Sequence, residues 1–443
     1  MLATATLGLS STPGFDSWGW VLWGRELAGD GAFSTAGYPS WKPLPALLDG
    51  AFAAIGPGAV PALWLVLVRA SGLVALVLAA RLAARLGGRA AAVLAVVGLA
   101  TMRDWWTMMG FGESEPMLVA LVLGAVDRHL AGRPRQALAL GFLAALLRPE
   151  TWPFLLLYAA WVAWHSRPWA RATIAGALLL VPVLWFGGDW LGSGSPWTGS
   201  RLAKLSAQAV ELGLQPVRPH AALVAAGRGL AVVATPFLAG ALYACVARSP
   251  QRRTLQVLTA GALLLIGLVA AQAVIGYPGL GRFSLPAGAL LGVVGALGLV
   301  RAAAALPRRA MLVPAGALVL LAAVPWLVGG GRDLATVRDR AVVSADTRAA
   351  AAQLERTGTL SACGGRLAAA PPAQPALADA LDRPVTGVAA FGRARLVIAP
   401  VAAGHPWPEV DRWLRRHPRH RTLRRLARDR DILVYEACAR RPA

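Results

Sequence analysis

The stretch GFDSWGWVLWGRELAGDGAFSTAGYPSWKPLPALL, from Gly14 to Leu47, decides how the rest of the sequence is interpreted. It is the longest stretch before Lys204 that is neither apolar enough to span a bilayer nor basic enough to be typical of a cytoplasmic connection. It contains four tryptophans, and tryptophan favours the boundary between membrane and water. It also contains an acid, Asp16, and an amine, Lys42. An acid and an amine in a loop on the bilayer indicate a site that faces lipid headgroups.

The composition is that of an integral membrane protein. Of the 443 residues, 56% are hydrophobic and only 15% are charged, whereas about 25% of the residues of a soluble domain are charged. The net charge of +22 does not indicate nucleic acid as a partner, because the arginines of the membrane part stand singly or in small groups between apolar runs. Only the tail from Arg412 onwards is densely basic, and it is either a contact with anionic headgroups or glycans or an ordinary solvated face.

Apolar runs alternate with arginine-rich connections, which mark the cytoplasmic ends of the spans. This order predicts an all-α polytopic membrane protein with about eleven transmembrane helices, the first of them truncated. We therefore expect that the true start of the protein lies upstream of Met1. Outer loops are predicted at 11–59 and 187–228. The short apolar runs 136–147 and 151–164 are predicted as two separate spans, since a single span would put the basic connections on opposite faces.

Residues 329–443 are predicted as a small C-terminal α/β domain that follows the membrane domain 1–328. Its expected elements are a helix at 345–356, a strand at 395–400, a helix at 409–416 and two strands within 421–435. The number of spans puts this domain on the extracytoplasmic side. There Cys363 and Cys438 either form a disulfide or stay unpaired, because their spacing alone does not fix the distance between them.

The central stretch resembles the first outer loop of the GT-C glycosyltransferases. These polytopic enzymes use polyprenyl-phosphate sugars and include the aminoarabinose transferases and the protein O-mannosyltransferases. The resemblance is carried by Asp16 just after the first span, by the aromatic loop, and by Lys42-Pro-Leu before the next span. It extends in outline over most of the membrane part, through the order of the motifs and the side of the membrane on which they lie. It implies a GT-C fold and transfer of a sugar from a polyprenyl-phosphate donor.

The resemblance assigns to Asp16 the role of the base that activates the acceptor hydroxyl, and a carboxylate is suited to this task. The alternative is structural, because an Asp in front of Ser17-Trp18 can cap the first turn of a helix. Members of the family often carry a second acid directly after the first. Ser17 stands at that position here, so the arrangement of acid, base and metal departs from the family pattern.

Glu113 and Glu115, in GFGESEP, resemble the acid-x-acid pattern in the second outer loop of some GT-C enzymes. There the two acids help to hold a divalent metal, and Mg²⁺ or Mn²⁺ takes oxygen ligands of this kind. The resemblance implies that the pair positions the sugar or a metal. The alternative is a pair of solvated loop acids, or partners for Arg103.

Lys42, Arg148 and Arg282 map to the outer ends of spans. A polyprenyl phosphate brings a negative headgroup to this level, and cations bind it and stabilise the leaving phosphate. The motifs WKPL, RPE and GRFSLP around the three cations are similar to motifs of the superfamily. The alternative is that the cations extend to lipid phosphates, or that Arg148 pairs with Glu150. In the second outer loop Arg201, Arg218 and His220 either contact the acceptor or are ordinary surface.

These features predict an inverting hexosyl or pentosyl transferase of the plasma membrane, with its active site on the extracytoplasmic side. Its acceptor is a glycan, a lipid or a protein. Two other functions stay open: a transporter or lipid flippase of the cell envelope, and a catalytically inactive GT-C relative. The candidate charges lie at the outer ends of spans rather than at the midplane, which favours the enzyme. The abundance of Ala, Arg and Gly indicates an actinobacterial source.

Overall fold

The structure is a computed structural model. It describes residues 1–30, 33–36, 41–204, 220–305, 312–369, 374–381, 383, 394–400, 413–418, 421–424 and 432–438. The helices are α1 Leu2–Ala5, α2 Phe15–Arg25, α3 Pro43–Ile55, α4 Val60–Ala100, α5 Trp105–Gly110, α6 Glu115–Leu130, α7 Pro134–Ala145, α8 Trp152–Trp164, α9 Pro168–Ser193, α10 Thr198–Lys204, α11 Ala221–Leu230, α12 Thr235–Val246, α13 Arg252–Val274, α14 Leu285–Ala304, α15 Leu312–Arg356, α16 Thr359–Ala362 and α17 Gln374–Ala380. The strands are β1 Leu367–Ala369, β2 Leu396–Pro400, β3 Arg421–Arg424 and β4 Ile432–Glu436.

Four of the described helices are long and apolar enough to cross a membrane. They are α4, α9, α13 and α14, two of them with the short turns that precede them. Helices α11 and α12 are bent by 90° against each other and make a fifth span if they are counted together. Helix α4 is itself interrupted at Gly88, whose φ of 84° suits glycine, so it consists of two helices that meet near Arg89. The chain is therefore a membrane protein, and the number of about eleven spans stays a prediction.

The predicted spans 136–147 and 151–164 are two separate helices, α7 and α8. The predicted outer loop 187–228 contains helical structure, because α9 continues to Ser193, α10 lies inside this range and α11 begins within it at Ala221. Its bounds as an outer loop stay a prediction. Helix α9 continues past Gly187-Gly188 and packs closely on Trp41 at the second glycine, where a Cβ would collide with the indole ring.

Helix α14 lies at the centre of the membrane part, and every residue from Leu285 to Gly298 is buried. It packs tightly on α12, since a Cβ on Gly298 would collide with the carbonyl oxygen of Gly240. Small residues allow helices to approach this closely in membranes. The packing fixes the start of α14, and with it Arg282 in the 3₁₀ turn that directly precedes the helix.

The stretch from Gly14 to Leu47 is mainly two packed helices, α2 and the start of α3. Its tryptophans are buried, with exposed fractions from 0% for Trp20 to 5% for Trp41. They form one apolar cluster with Trp64 of α4. The expectation that these tryptophans face the boundary between membrane and water is therefore wrong. This apolar cluster packs beneath the neighbouring charged residues and supports them.

The C-terminal part contains a four-stranded sheet of order β1-β2-β4-β3, with β1 parallel to β2 and the other pairs antiparallel. The predicted strands agree with β2, β3 and β4, and of the predicted helix 409–416 only residues 413–416 are described, as helix. Cys363 and Cys438 are joined by a disulfide, with their Cα atoms 5.4 Å apart. Helix α15 runs without a break through position 329, where the sequence analysis put the domain boundary. That this region is a separate extracytoplasmic domain stays a prediction, and most of the basic tail lies outside the described residues.

Candidate active site

A cavity of about 500 Å³ brings together residues that are far apart in the sequence. Five predicted site residues line it: Asp16, Lys42, Glu113, Arg148 and Arg282. The sixth, Glu115, lies beneath the lining and is only 1% exposed. The cavity is thus the one place among the described residues where the predicted acids and cations meet.

Asp16 lies in the first turn of α2 and faces the cavity. The cap of this helix is Gly14, and Asp16 makes no capping hydrogen bond, so the capping alternative for Asp16 is wrong. The N–H of Gly14 donates to the carbonyl of Phe111 at 2.7 Å. A Cβ on Gly14 would lie 2.5 Å from an oxygen of Glu113, so only glycine lets α2 begin this close to the second acid.

Ser17 does not face the cavity. It is fully buried, and its hydroxyl donates to the carbonyl oxygen of Gly112 at 2.7 Å. The indole N–H of Trp64 donates to the same oxygen, also at 2.7 Å. Gly112 has a φ of 66°, which suits glycine. The residue that replaces the second acid of the family pattern therefore holds the loop that carries Glu113.

Arg282 is surrounded by three acids. Its Nη2 lies 2.9 Å from Oδ2 of Asp16, and its Nη1 lies 3.5 Å from Oε2 of Glu113. Its Nε lies 3.9 Å from Oε1 of Glu115. The guanidinium group is planar and presents five N–H donors, so one side chain can serve several carboxylates at once.

Arg148 is held by an acid from below and by a ring. Its Nη2 donates to Oε1 of Glu115 at 2.6 Å, and Oε1 of Glu150 lies 3.9 Å from its Nη1. Its guanidinium carbon lies 3.8 Å from the ring centroid of Phe283, a cation–π contact. Arg148 is only 8% exposed, so its side chain does not extend out of the protein to the phosphates of the surrounding bilayer. Its closer acid is Glu115 rather than Glu150. Glu115 therefore orients a cation that lines the cavity.

Lys42 is a buried ammonium group without a carboxylate partner. It is 6% exposed, and among the described residues it forms no ion pair. Its Nζ donates to the hydroxyl of Ser114 at 2.9 Å and lies 4.5 Å from the ring centroid of Trp20. Burial, together with the nearby charge of Arg148, lowers the pKa of Lys42 to about 8. A buried ammonium group that lacks a carboxylate partner would be stabilised by an anionic ligand.

Glu113 experiences the opposite shift. Burial raises the pKa of Glu113 to about 8, and the negative charges of Asp16 and Glu115 act in the same direction. The guanidinium of Arg282 opposes this shift. The cavity thus contains an acid and an amine that both change their charge near pH 8.

In this structure the acids of the cavity are paired with a guanidinium group and do not converge on one point as they would in a metal site made of protein ligands alone. A divalent metal held by Glu113 or Glu115 together with a substrate phosphate stays a prediction. Among the described residues, the one group of three potential ligands whose atoms lie within 4.8 Å of one another is Cys363, Glu436 and Cys438, and its two sulfurs are bonded to each other. In the cavity, the guanidinium of Arg282 lies against all three acids instead.

The sequence analysis did not identify Asp189 and Arg340, two charged residues that line the cavity. It named Glu150 only as a partner of Arg148, and Glu150 lines the cavity as well. Asp189 had a signal, because a lone acid near the end of a long apolar helix is by default a candidate functional residue. Arg340 of α15 lies over Phe111, 5.3 Å from its ring centroid, and no motif marks it. Arg201 and His220 are exposed and do not line the cavity, and Arg218 lies outside the described residues.

No known family model matches the sequence, and no curated protein matches it. The chain is similar to the crystal structure of ArnT from Cupriavidus metallidurans bound to undecaprenyl phosphate, with a TM-score of 0.54, 15% identity, and coverage of 99% of this chain and 96% of ArnT. The apo state of ArnT gives a TM-score of 0.52, 14% identity, and coverage of 95% and 93%. A weaker likeness, with a TM-score of 0.44 and 15% identity, covers 99% of this chain and 41% of the arabinofuranosyltransferase AftD from Mycobacteria. The chain has the GT-C fold, as the resemblance implied.

Proposed function

We propose that this protein is a GT-C-type glycosyltransferase that passes a sugar from a polyprenyl-phosphate donor to an acceptor hydroxyl at the outer face of the plasma membrane. The observation that carries the proposal is Lys42, a buried ammonium without a carboxylate partner that lines a cavity beside two arginines. A buried charge is costly unless it is paired, so an anion that binds here gains a strong partner. ArnT, which has the same fold, holds undecaprenyl phosphate, and this supports a lipid phosphate as the anion.

The reaction is a single displacement. The acceptor oxygen attacks the anomeric carbon of the sugar while the bond from that carbon to the phosphate oxygen breaks. The electron pair of the broken bond leaves with the polyprenyl phosphate, and the proton of the acceptor hydroxyl goes to Asp16. Lys42, Arg148 and Arg282 stabilise the charge that grows on the leaving phosphate. Attack opposite to the leaving group inverts the configuration at the anomeric carbon.

Donor binding prepares Asp16 for this role. Before the donor binds, Nη2 of Arg282 is only 2.9 Å from the carboxylate of Asp16. A phosphate that takes hydrogen bonds from Arg282 competes with Asp16 for the same guanidinium. The bound donor thereby frees the carboxylate to accept the proton of the acceptor. Glu115 keeps Arg148 and Arg282 oriented from below, and Glu113 contacts the sugar near the phosphate.

Binding of a sugar-free polyprenyl phosphate to the purified protein in detergent tests the proposal. Hydrogen bonds to charged groups are worth about 1.5–3 kcal/mol, so Lys42→Ala and Arg282→Ala are each expected to weaken binding by about tenfold or more. Lys42→Arg keeps the charge and is expected to lose less. Arg338→Ala removes an exposed arginine of α15 that does not line the cavity and serves as the control. Absent binding, or binding that neither Lys42→Ala nor Arg282→Ala weakens, would overturn the phosphate site.

A further inference from the structure

Part of the cavity wall has no role in the phosphate site. It is formed by Trp152 of α8, Trp185 and Phe186 of α9, and Trp197 in the turn before α10. The ring centroids are 6.1 Å apart for Trp152 and Trp185, 6.2 Å for Trp152 and Phe186, and 5.0 Å for Phe186 and Trp197. The four rings therefore form one contiguous aromatic cluster along the cavity, the aromatic wall, in which neighbouring rings meet edge to face or tilted.

The polar edges of two of these rings are already used inside the protein. The indole N–H groups of Trp152 and Trp185 both donate to the carbonyl oxygen of Ala145, at 3.0 and 2.9 Å. These bonds fix the orientation of both rings. Trp152 and Trp185 therefore offer a ligand the apolar surface of rings in fixed orientations rather than further hydrogen-bond donors.

Each end of the aromatic wall carries a buried carboxylate with one oxygen that lacks a hydrogen-bond donor among the described residues. Glu150 is 7% exposed, its Oε2 has no hydrogen-bond partner among the described residues, and its nearest cation is Arg148, 3.9 Å away. Asp189 is 5% exposed, and its Oδ2 accepts the N–H of Gly199 at 2.7 Å. Its Oδ1 has no hydrogen-bond partner among the described residues. Buried acceptors without a donor cost free energy, so a ligand that supplies donors is favoured at both places.

The aromatic wall adjoins the phosphate site along the chain. Glu150 is two residues from Arg148, and Lys42 directly follows Trp41. The indole N–H of Trp41 donates to the carbonyl of Leu184 at 3.0 Å, directly before Trp185. A group that is covalently attached to a phosphate bound by Lys42 and Arg148 is therefore close to the aromatic wall.

We infer that the aromatic wall, with Glu150 and Asp189 at its ends, is the subsite for the donor sugar, and that this sugar is neutral or carries an amine. The faces of the rings pack on the C–H groups of the sugar ring. The carboxylates accept hydrogen bonds from hydroxyl or ammonium groups. An acidic sugar brings a negative charge against two buried carboxylates and is rejected. This inference rests on the proposed function, because it takes the position of the sugar from the phosphate site.

Binding to the purified full chain in detergent tests the inference, with three probes: sugar-free polyprenyl phosphate, polyprenyl-phosphate glucose and polyprenyl-phosphate glucuronic acid. The two donors carry the same phosphodiester, and the glucose donor is expected to bind more tightly than the glucuronic acid donor. The sugar-free lipid, whose phosphate carries more negative charge, reports on the phosphate site. Glu150→Gln and Asp189→Asn keep the size of the side chains and are each expected to weaken the glucose donor by about tenfold. Asp189→Asn is expected to leave the sugar-free lipid unchanged, and Glu150→Gln, which removes an acid 3.9 Å from Arg148, is expected not to weaken it. Glu150→Gln is also expected to improve binding of the glucuronic acid donor. Glu355→Gln, at an exposed acid of α15, is the matched control.

The outcomes separate this inference from the proposed function. If the sugar-free lipid binds normally but neither Glu150→Gln nor Asp189→Asn weakens the glucose donor, and the glucose and glucuronic acid donors bind equally, the subsite is wrong and the phosphate site stands. If Glu150→Gln and Asp189→Asn weaken the sugar-free lipid as much as the glucose donor, the aromatic wall holds the isoprenoid chain instead, and the inference is overturned. If the sugar-free lipid does not bind at all, the proposed function fails and the inference falls with it.

Discussion

Two charge clusters of this protein have opposite arrangements of charge. At one, the buried carboxylate of Asp127 is surrounded by three guanidinium groups, with Nε of Arg81 at 3.1 Å, Nη2 of Arg85 at 3.3 Å and Arg128 in direct contact. At the other, the guanidinium of Arg282 is surrounded by three carboxylates. The sequence predicts the first cluster at the cytoplasmic ends of spans and the second at the outer ends.

The two clusters differ in where the excess charge lies. Around Asp127 the side chains of the surplus arginines are between 21% and 51% exposed, so water and lipid headgroups can compensate them. Around Arg282 the surplus acids are 1% to 23% exposed, and Lys42 is buried beside them and forms no ion pair with any described carboxylate. The contrast shows that buried, imperfectly paired charge, rather than the number of charges, marks a ligand site.

The largest effect is expected for Asp16→Asn compared with Asp127→Asn. A general base typically contributes a factor of about 10²–10⁴ in rate, so Asp16→Asn should slow sugar transfer by this factor while donor binding persists. Asp127→Asn removes an acid of the other cluster and should leave the transfer rate of the folded protein unchanged. Single-turnover transfer at saturating donor measures both. A wild-type rate in Asp16→Asn would remove the catalytic role of this residue.

The next effect concerns stability. Removing one partner of a buried ion pair costs about 3–5 kcal/mol, so Arg282→Ala should lower the free energy of unfolding by this amount. Arg85→Ala removes a partly exposed partner and should cost about 0–1 kcal/mol. Thermal unfolding in detergent without donor measures the difference. Arg282→Lys should not restore stability, because one ammonium group cannot contact three carboxylates. Equal losses of unfolding free energy for Arg282→Ala and Arg85→Ala would contradict the difference between the two clusters.

A smaller effect is expected from pH. The pKa of Lys42 is lowered to about 8 by burial, so the ammonium is fully charged below this pH and a bound phosphate raises its pKa again. Donor affinity is therefore constant below about pH 8 and falls as the pH rises above it. Glu113, whose pKa burial also raises to about 8, gains its negative charge over the same range and acts in the same direction.

Two variants separate these contributions. Lys42→Arg removes the titration of the amine and should leave only the part due to Glu113, whereas Glu113→Gln should leave only the part due to Lys42. Titration of donor binding between about pH 6 and 10 resolves them. A donor affinity that does not change with pH in the wild type would show that neither group faces the phosphate.

The smallest effect is expected from a chelator. Because the guanidinium of Arg282 already lies against Asp16, Glu113 and Glu115, EDTA should leave transfer unchanged. The assay compares the transfer rate before and after chelation, with Mg²⁺ or Mn²⁺ added back. Activity that is lost with EDTA and recovered with either ion would show that a metal replaces the contacts of Arg282.

The sequence predicted which residues line one cavity, because the arginine pattern assigns all of them to the same predicted side of the membrane. Asp16, Lys42, Arg148 and Arg282 each stand at an outer end of a predicted span, and residues at one level of a helical bundle are close in space. The sequence did not predict the pairing among them, since distances depend on how helices pack. Glu115, two residues from the cavity-lining Glu113 in sequence, lies beneath the lining for this reason.

The remaining differences have the same physical origin. The preference of tryptophan for the membrane boundary is overridden at Trp18 and Trp20, because α2, α3 and α4 pack around them. Asp189 was missed because the polar residues around it were assigned to a loop, whereas α9 continues through them. Cys363 and Cys438 are 75 residues apart in sequence, and the sheet brings them together in a way that spacing does not encode.

The unbroken helix α15 ties the width of the cavity to the C-terminal sheet. Thr336 and Arg340 line the cavity, and the same helix continues to Arg356, about 30 Å further along its axis from Thr336. Asp379 of α17 then bonds both Arg348 of α15 and Arg25 of α2, the helix that carries Asp16. One continuous helix therefore both lines the cavity and reaches the C-terminal part of the chain, so a shift of α15 along its axis would move Thr336 and Arg340 together with the segment that Asp379 holds.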